Sequence, residues 1–309
     1  MNVSVFYPNF VRKAITFTID DGNLETDRAF LDIVKPAGIK GTFNLCSQNL
    51  SRMSAEEYRA FYDGYEIANH VKYHPYAMAD GKDYPVKNEP FDPETADPAF
   101  LYPANVAGVY HQHLPRGWRS IADGKTYIRL ADECRAELEA VFGEGSVRGF
   151  VWPFCRQENA ELLAHLQSAG YYGLRGVRGG GIRDEENFDL PRDRDNWVYT
   201  ATHETLTETA AAFAAYPDDG KLKWFAIGVH SVDFKKAGKW DDLRAFAKAF
   251  GNRPAEYWYA TVGEIFAYED AANALRVSET ALENPTDTDL FLTCNGERVT
   301  LRRHTTVFL

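Results

Sequence analysis

Two adjacent carboxylates stand at the end of a β-branched segment near the start of the chain. Lys13 to Ile19 reads as a buried strand, Asp20 and Asp21 follow it, and Gly22 marks the turn that ends it. Neighbouring acids at a strand end cost desolvation and like-charge repulsion unless a cation or a proton lies between them. The plainer interpretation is that Asp21 caps a helix that begins near Leu24. A chemical role for the acid pair therefore needs support from further residues.

Two histidines four residues apart occur in the segment His70-Val71-Lys72-Tyr73-His74-Pro75. One helical turn or a tight loop would place both imidazoles on the same side of the chain. With one carboxylate they would give three protein ligands and leave one position open, which is typical of a catalytic divalent-metal site. Such a pair alone is more often two unrelated surface histidines. Here residues 65–68 read as a short strand, so His70 and the acid pair both follow strand ends.

Alternating strand and helix patterns predict how these residues are positioned. The predicted strands are 13–20, 40–45, 65–69, 148–153, 171–175, 197–202, 223–230 and 256–260. The predicted helices include 24–34, 132–142, 158–169, 204–215, 240–250 and 261–274. This alternation indicates parallel strands with right-handed crossovers, for which a (β/α) barrel is the simplest closure. The carboxyl ends of the strands would then form one rim, which carries Asp20, His70, Pro153 and His230.

With these motifs the chain resembles the polysaccharide deacetylases with a NodB-homology domain, carbohydrate esterase family 4, over about residues 12 to 270. Three specific motifs of that family are matched by residues 18–22 (Thr-Ile-Asp-Asp-Gly), 70–75 and 227–230 (Ile-Gly-Val-His). The resemblance implies a distorted, seven-stranded barrel. It also implies these roles: Asp20 as catalytic base, His230 as general acid, and Asp21, His70 and His74 as metal ligands.

A fourth match, Val151-Trp152-Pro153-Phe154, is weaker. The family's proline and aromatic are present, so the resemblance implies Pro153 and Phe154 as substrate-binding residues. Val151 stands where the family has an arginine that holds the base carboxylate. Arg156 or Arg175 is a candidate to supply the missing cation.

The remaining match, Asp193-Arg194-Asp195-Asn196-Trp197, has Asn196 in place of the acid that in the family tunes the catalytic histidine. Asn196 can hydrogen-bond an imidazole, but it cannot stabilise the imidazolium as a carboxylate does. Asp193 or Asp195 is a candidate replacement. Trp197 is expected at the site, where its indole would stack on a sugar ring.

The chemistry that follows is hydrolysis at a metal centre. Zinc is the expected metal, and cobalt, nickel, manganese and iron stay open as alternatives. Bound zinc lowers the pKa of a water molecule to about 7. Asp20 would take the proton of that water as it attacks an acetyl carbonyl, and His230 would protonate the leaving amine or alcohol.

Three functions stay open. The first is a metal-dependent hydrolase that removes acetyl groups from an N- or O-acetylated carbohydrate. The second keeps the barrel and metal but hydrolyses C–N bonds of small amides or imides. The third is a catalytically silent carbohydrate-binding homologue, suggested by the missing arginine and by Asn196. Because all ligand positions and both acid–base residues are present, we rank the functions in this order.

Composition limits the partners. The 309 residues carry a net charge of −11 with no basic run, which argues against nucleic acid and anionic membranes as partners. The four cysteines lack Cys-x2-Cys spacing and are predicted to be free thiols of a reducing compartment. With neither a signal peptide nor a long apolar run visible, a cytoplasmic location is expected. The oligomeric state is left open.

Two regions extend beyond a minimal barrel. The proline-rich residues 77–125 form a long insertion, predicted to wall one side of the cleft. Its His111 and His113 are a rival metal pair, which we rank well behind His70 and His74. Strands at 289–293 and 299–301 around Asn295-Gly296 predict a hairpin, which with residues 276–282 would form a small antiparallel appendage. The predicted division is a barrel at 1–274 and this appendage at 275–309.

Overall fold

The computed structural model describes residues 1–50, 52–77, 109–114, 117–122, 124–155, 160–176, 188–190, 194–195 and 197–309. The predictions for Arg156, Asp193 and Asn196 lie outside these residues, as do the side chains of His111 and His113.

The strands are β1 (Val3–Phe6), β2 (Lys13–Asp21), β3 (Gly41–Leu45), β4 (Glu66–Asn69), β5 (Tyr76–Ala77), β6 (Val109–Leu114), β7 (Gly117–Ala122), β8 (Phe150–Val151), β9 (Leu174–Arg175), β10 (Lys223–His230), β11 (Tyr257–Tyr259), β12 (Arg276–Val277), β13 (Ala281–Asn284), β14 (Leu290–Cys294), β15 (Glu297–Leu301) and β16 (Thr305–Phe308). The helices are α1 (Leu24–Val34), α2 (Ala55–Phe61), α3 (Gly124–Phe142), α4 (Ala160–Ser168), α5 (Leu206–Ala215), α6 (Ser231–Ala237), α7 (Trp240–Phe250) and α8 (Val262–Ala274). No helix among the described residues combines the length and the apolar character that a membrane span requires.

A parallel seven-stranded sheet forms the barrel. Its order is β10-β2-β3-β4-β8-β9, and β11 also pairs with β2. Residues 197–201 lie between the two outer strands: the Gly176 N–H donates to the Trp197 carbonyl (3.0 Å), and the Gly228 N–H donates to the Ala201 carbonyl (2.9 Å). These contacts close the sheet and confirm the predicted distorted (β/α) barrel.

Side chains of the central strand β2 alternate between the helices and the barrel interior, as the two-residue period of a strand requires. Those that pack towards the helices are Ile15, Phe17 and Ile19. Polar side chains point to the interior, where Trp224 donates to Thr16 (2.9 Å) and Asn44 donates to Thr18 (2.8 Å). Asp20 continues this inward series, so the strand's own geometry turns one acid of the pair into the barrel.

Several elements differ from the sequence prediction. The strand predicted at 148–153 is a regular strand only over β8, and it ends before Pro153, which lacks an N–H and begins a 3-10 turn, Pro153–Cys155. The strand predicted at 197–202 makes only isolated bridges, at Trp197 and Ala201. Helices α2 and α6 were not predicted. Each has seven residues, too few for a helical period to be recognised.

The appendage is antiparallel, as predicted. β14 and β15 pair around Asn295-Gly296, and β13 pairs with β12 and β16. β1 also pairs with β14, so the start of the chain contributes a strand to this region. The boundary between residues 274 and 275 stays a prediction.

Part of the insertion contributes to a third small sheet. β6 and β7 are antiparallel, and β5, which follows the two histidines, is parallel to β7. β5 lies beside the Pro153–Cys155 turn. That the insertion walls the cleft stays a prediction. Three cysteines, Cys46, Cys134 and Cys294, are buried free thiols.

Candidate active site

The two adjacent aspartates occupy different environments at the carboxyl end of β2. Asp20 points into the barrel and is buried, whereas Asp21 is the last residue of the strand and has a φ of 77°. A left-handed backbone at a non-glycine residue costs free energy of order 1–3 kcal/mol, and such strain is typical of functional sites. Gly22 continues the turn with a φ of 75°, and a Cβ there would lie 2.8 Å from Leu45. This turn directs the Asp21 carboxylate to the rim.

Asp21, His70 and His74 bring three donor atoms together. His70 Nε2 lies 3.5 Å from Asp21 Oδ1, His74 Nε2 lies 3.6 Å from the same oxygen, and the two nitrogens are 3.1 Å apart. For bonds of about 2.0–2.1 Å, the edges of a tetrahedron around zinc are about 3.3–3.4 Å long. The three donors therefore already have the spacing of one face of a tetrahedral metal site.

The hydrogen bonding and the protonation of Asp21 and His74 also suit the binding of a cation. Asp21 Oδ1 is buried and accepts no hydrogen bond from the described residues, which is costly for a carboxylate oxygen that binds nothing. Burial opposes ionisation of Asp21, but His70, His74 and His230 outweigh it and hold the pKa of this carboxyl well below its usual range. Burial and the His70 imidazole lower the pKa of His74 to about 3, so that His74 is neutral near pH 7. An ionised carboxylate and a neutral imidazole are the ligand forms that a divalent metal requires.

A backbone contact fixes the orientation of His70. Its Nδ1 lies 2.9 Å from the Val151 carbonyl, which can only accept, so Nδ1 carries the proton and the lone pair of Nε2, on the side of Asp21, is left to bind a metal. Val151 is the position where the resemblance led us to expect an arginine side chain. Its contribution here is the carbonyl oxygen.

The loop that carries both histidines is held in a strained conformation. Val71, Tyr73 and His74 have φ angles of 61°, 68° and 47°. Asn69, at the end of β4, is fully buried, and its Oδ1 accepts the Val71 N–H (2.8 Å), while its Nδ2 donates to the Ala131 carbonyl (2.8 Å). The sequence predicted a helical turn or tight loop, and the structure has the tight loop.

Asp20 is held by a cation and an amide. Arg175 Nη2 forms an ion pair with Asp20 Oδ2, and Asn44 Nδ2 donates to Asp20 Oδ1 (2.7 Å). Although burial opposes ionisation, Arg175, His70 and His230 lower the pKa of Asp20. Val151 of β8 and Arg175 of β9 are directly paired in register. The cation expected at position 151 is therefore supplied by the paired position of the adjacent strand.

His230, the last residue of β10, faces Asp21 on one side and Asp233 on the other. Its Nε2 is 3.8 Å from Asp21 Oδ2, and its Nδ1 donates to Asp233 Oδ2 (2.9 Å). Burial opposes the imidazolium, but Asp233, Asp20 and Asp21 outweigh it and raise the pKa of His230 to about 9. The ring is therefore a cation near pH 7 and can donate a proton from Nε2.

Among the described residues, the carboxylate bonded to His230 is that of Asp233, which the sequence analysis did not propose. Asp195 accepts a hydrogen bond from Gln167 (2.7 Å), and the predictions for Asp193 and Asn196 lie outside the described residues. The sequence signal for Asp233 was its place three residues after a histidine at a strand end, in the first turn of α6.

The cleft beside these groups has a volume of about 590 Å³. Phe154 lines it and packs edge-on against His74, with ring centroids 4.5 Å apart. Pro153 is buried behind that aromatic ring and begins the turn that presents it. Tyr199 forms another wall, lying so close to Gly228 that a Cβ there would be 2.3 Å from its ring.

The structure does not place Trp197 in the cleft, contrary to our expectation. Its indole is buried, donates to the Gly173 carbonyl (2.8 Å) and packs against Trp224 and Phe266. A residue of the closing segment with its indole turned to the core cannot stack on a sugar. Tyr199, two residues later, lines the cleft together with Phe154, and sequence reasoning missed it.

The family model described as polysaccharide deacetylase matches residues 8–174. No curated protein matches the chain. Among solved structures, a family 4 acetyl xylan esterase from Clostridium thermocellum in complex with a cobalt ion is 16% identical, with 83% of this chain and 92% of that chain covered and a TM-score of 0.46.

Two further structures are similar to the same extent. The Xyl-CE4 domain of a multidomain xylanase from the hindgut metagenome of Trinervitermes trinervoides is 17% identical, with 84% of this chain and 92% of that chain covered and a TM-score of 0.47. The peptidoglycan deacetylase PdaC from Bacillus subtilis is 15% identical, with 85% and 94% covered and a TM-score of 0.45.

Proposed function

The chain belongs to the polysaccharide deacetylase family, and from that premise we propose that it is a metal-dependent hydrolase that removes acetyl groups from a carbohydrate through the residues at the end of β2, β4 and β10. The observation that carries the proposal is the convergence of Asp21, His70 and His74 around one buried carboxylate oxygen that no described residue hydrogen-bonds. Beside this cluster lie an ionised carboxylate, Asp20, and a cationic imidazole, His230.

Asp21, His70 and His74 would hold the metal. Two imidazoles and one carboxylate suit zinc, and cobalt, nickel, manganese or iron would accept the same donors. When bound, such a metal acts as a Lewis acid on an acetyl carbonyl and makes a water molecule acidic enough to ionise near pH 7. The remaining chemistry belongs to the protein's own side chains.

Asp20 would serve as the general base. Its carboxylate is ionised, lies at the rim beside His70 and His230, and is held by Arg175 and Asn44. Both partners stabilise the charged form and fix the direction of the oxygens. A positioned base of this kind typically contributes about 10²- to 10⁴-fold to the rate.

His230 would serve as the general acid. With a pKa of about 9 it carries a proton at neutral pH, and the Asp233 carboxylate fixes the ring so that the proton on Nε2 faces the cleft. The leaving amine or alcohol of the sugar would take this proton as its bond to the acetyl carbon breaks.

The silent carbohydrate-binding alternative loses its motivation. It rested on the missing motif arginine and on Asn196, yet Arg175 supplies a cation to Asp20 and Asp233 supplies a carboxylate to His230. Hydrolysis of small amides or imides uses the same residues, and a substrate screen separates it from carbohydrate deacetylation.

The test combines metal content with acetate release. Protein purified without added metal is expected to contain about one divalent ion per chain, and His70→Ala is expected to lose it. Asp20→Asn is expected to keep the metal and to lose nearly all acetate release from acetylated oligosaccharides. Loss of the metal in Asp20→Asn would show that the division of roles between the two aspartates is wrong. Absence of metal in the unmodified protein after reconstitution would refute the proposal.

A further inference from the structure

A second, smaller cavity of about 140 Å³ opens on the other side of the catalytic centre. Asp20, Asp21 and His230 line both this cavity and the larger cleft. Its outer wall includes Asn49 and Arg52, which belong to the loop between β3 and α2. A substrate group bound here would therefore lie next to the reacting acetyl group.

Partly buried hydrogen bonds hold the backbone at Asn49 and Arg52 relative to the catalytic centre. Asn49 Nδ2 donates to the backbone carbonyl of Asp21 (2.6 Å). The Tyr58 hydroxyl donates to the Asn49 carbonyl (2.9 Å) and accepts the Arg52 N–H (3.4 Å). Tyr58 is itself buried. The position of Arg52 is thus set by a chain of contacts that begins at a proposed metal ligand.

The charge of Arg52 is not neutralised within the described protein. Its backbone N–H is bonded, but no carboxylate among the described residues forms an ion pair with its guanidinium. The other charged groups of the centre are paired: Arg175 with Asp20, and His230 with Asp233. Arg52 differs from other arginines without an ion pair because it lines the cavity beside the catalytic centre, where its positive charge favours an anionic ligand.

We infer, on the basis of the proposed function, that Arg52 binds a carboxylate of the substrate, so that the carbohydrate is an acidic one with the charged group close to the acetyl group. A guanidinium matches a carboxylate with two parallel hydrogen bonds, which gives direction as well as attraction. The small cavity accommodates such a group beside the catalytic centre. Arg52 is then a specificity-determining residue of the deacetylase.

The experiment compares charged and uncharged forms of one substrate. The probes are an N-acetylated and an O-acetylated disaccharide, each with one uronic-acid residue, and the methyl esters of both. The unmodified protein should prefer the acids, and Arg52→Ala should lower the acid-to-ester ratio of kcat/KM by about five- to tenfold, mainly through KM. The preference should also weaken as ionic strength rises.

A matched control is Arg28→Ala. Arg28, on α1, is also exposed and forms no ion pair among the described residues. Its guanidinium lies over the ring of Phe61 on α2, and Arg28 lines neither cavity. The Arg28→Ala variant loses the same charge as Arg52→Ala and should leave the acid-to-ester ratio of kcat/KM unchanged. An equal fall in Arg28→Ala would show a general charge effect and would overturn the inference, as would a preference that survives in Arg52→Ala.

Calorimetric binding of the deacetylated acid and of its methyl ester separates this inference from the proposed function. If no probe is deacetylated, the proposed function fails, yet tighter binding of the acid that disappears in Arg52→Ala still supports the carboxylate site. Equal binding of acid and ester to the unmodified protein refutes the site, whatever the turnover.

Discussion

Replacement of Asp233 by Asn tests how the general acid is kept protonated. Asp233 accepts the Nδ1 proton of His230 at 2.9 Å, and it is the strongest of the three carboxylates that raise the pKa of His230 to about 9. Because a raised pKa keeps the imidazolium present up to higher pH, removing this carboxylate should move the loss of activity on the alkaline side to lower pH. An adjacent opposite charge typically shifts a pKa by about one to three, so a value of about 7 is a reasonable expectation for the variant.

The size of the effect depends on pH in a way that structural damage does not imitate. With a pKa of about 9 some nine-tenths of His230 is protonated at pH 8, whereas with a pKa of about 7 only about one-tenth is. Asp233→Asn should therefore lose about tenfold in kcat/KM at pH 8 and very little through protonation at pH 6. Poor orientation of the ring would instead lower the whole profile.

The assay is acetate release measured from pH 5.5 to 9.5 under kcat/KM conditions. Asp195→Asn is the control, since Asp195 accepts a hydrogen bond from Gln167, whereas Nδ1 of His230 bonds to Asp233. An alkaline limb that keeps its position in Asp233→Asn would refute the reasoning, even if the absolute rate fell.

Two other substitutions test neighbouring parts of the site. Arg175→Met leaves the buried Asp20 carboxylate without its cation and should lower the free energy of unfolding in urea by about 3–5 kcal/mol, with part of the loss recovered when Asp20→Asn is added; strictly additive losses would contradict the pairing. Gly228→Ala places a Cβ 2.3 Å from the Tyr199 ring, so we expect the free energy of unfolding to fall by about 1–3 kcal/mol. We also expect a raised KM for acetylated sugars at unchanged metal content. An unchanged KM would show that Tyr199 does not contact the substrate.

The sequence predicted well those elements with a clear apolar pattern and those site residues that stand at the end of a strand. The bounds of α1, α7 and β10 were predicted to the residue, and those of β2 to within one residue, because the helices have a clear apolar period and the strands a continuous apolar run. The grouping of Asp21 with the two histidines was also accessible, since all three follow strand ends that meet at one rim.

Other parts of the site depend on packing that a linear pattern does not contain. The contact between Arg175 and Asp20 joins residues 155 positions apart across the barrel, and it was only one of two candidates. Asp233 lies on a helix of seven residues, which gives no readable period. Tryptophan is a residue type typical of sugar-binding sites, but the direction of the Trp197 side chain is set by its packing in the core that includes Trp224.

The register of β8 and β9 has a consequence for how this chain can vary. Residues paired in a parallel sheet point to the same face, and adjacent strands are about 4.8 Å apart. Val151 and Arg175 are such a pair, so an arginine at either position would lie on the face of the sheet where Asp20 is held. At positions 151 and 175, one arginine is enough to pair with Asp20. A homologue could therefore carry this arginine in either strand and still neutralise the base carboxylate.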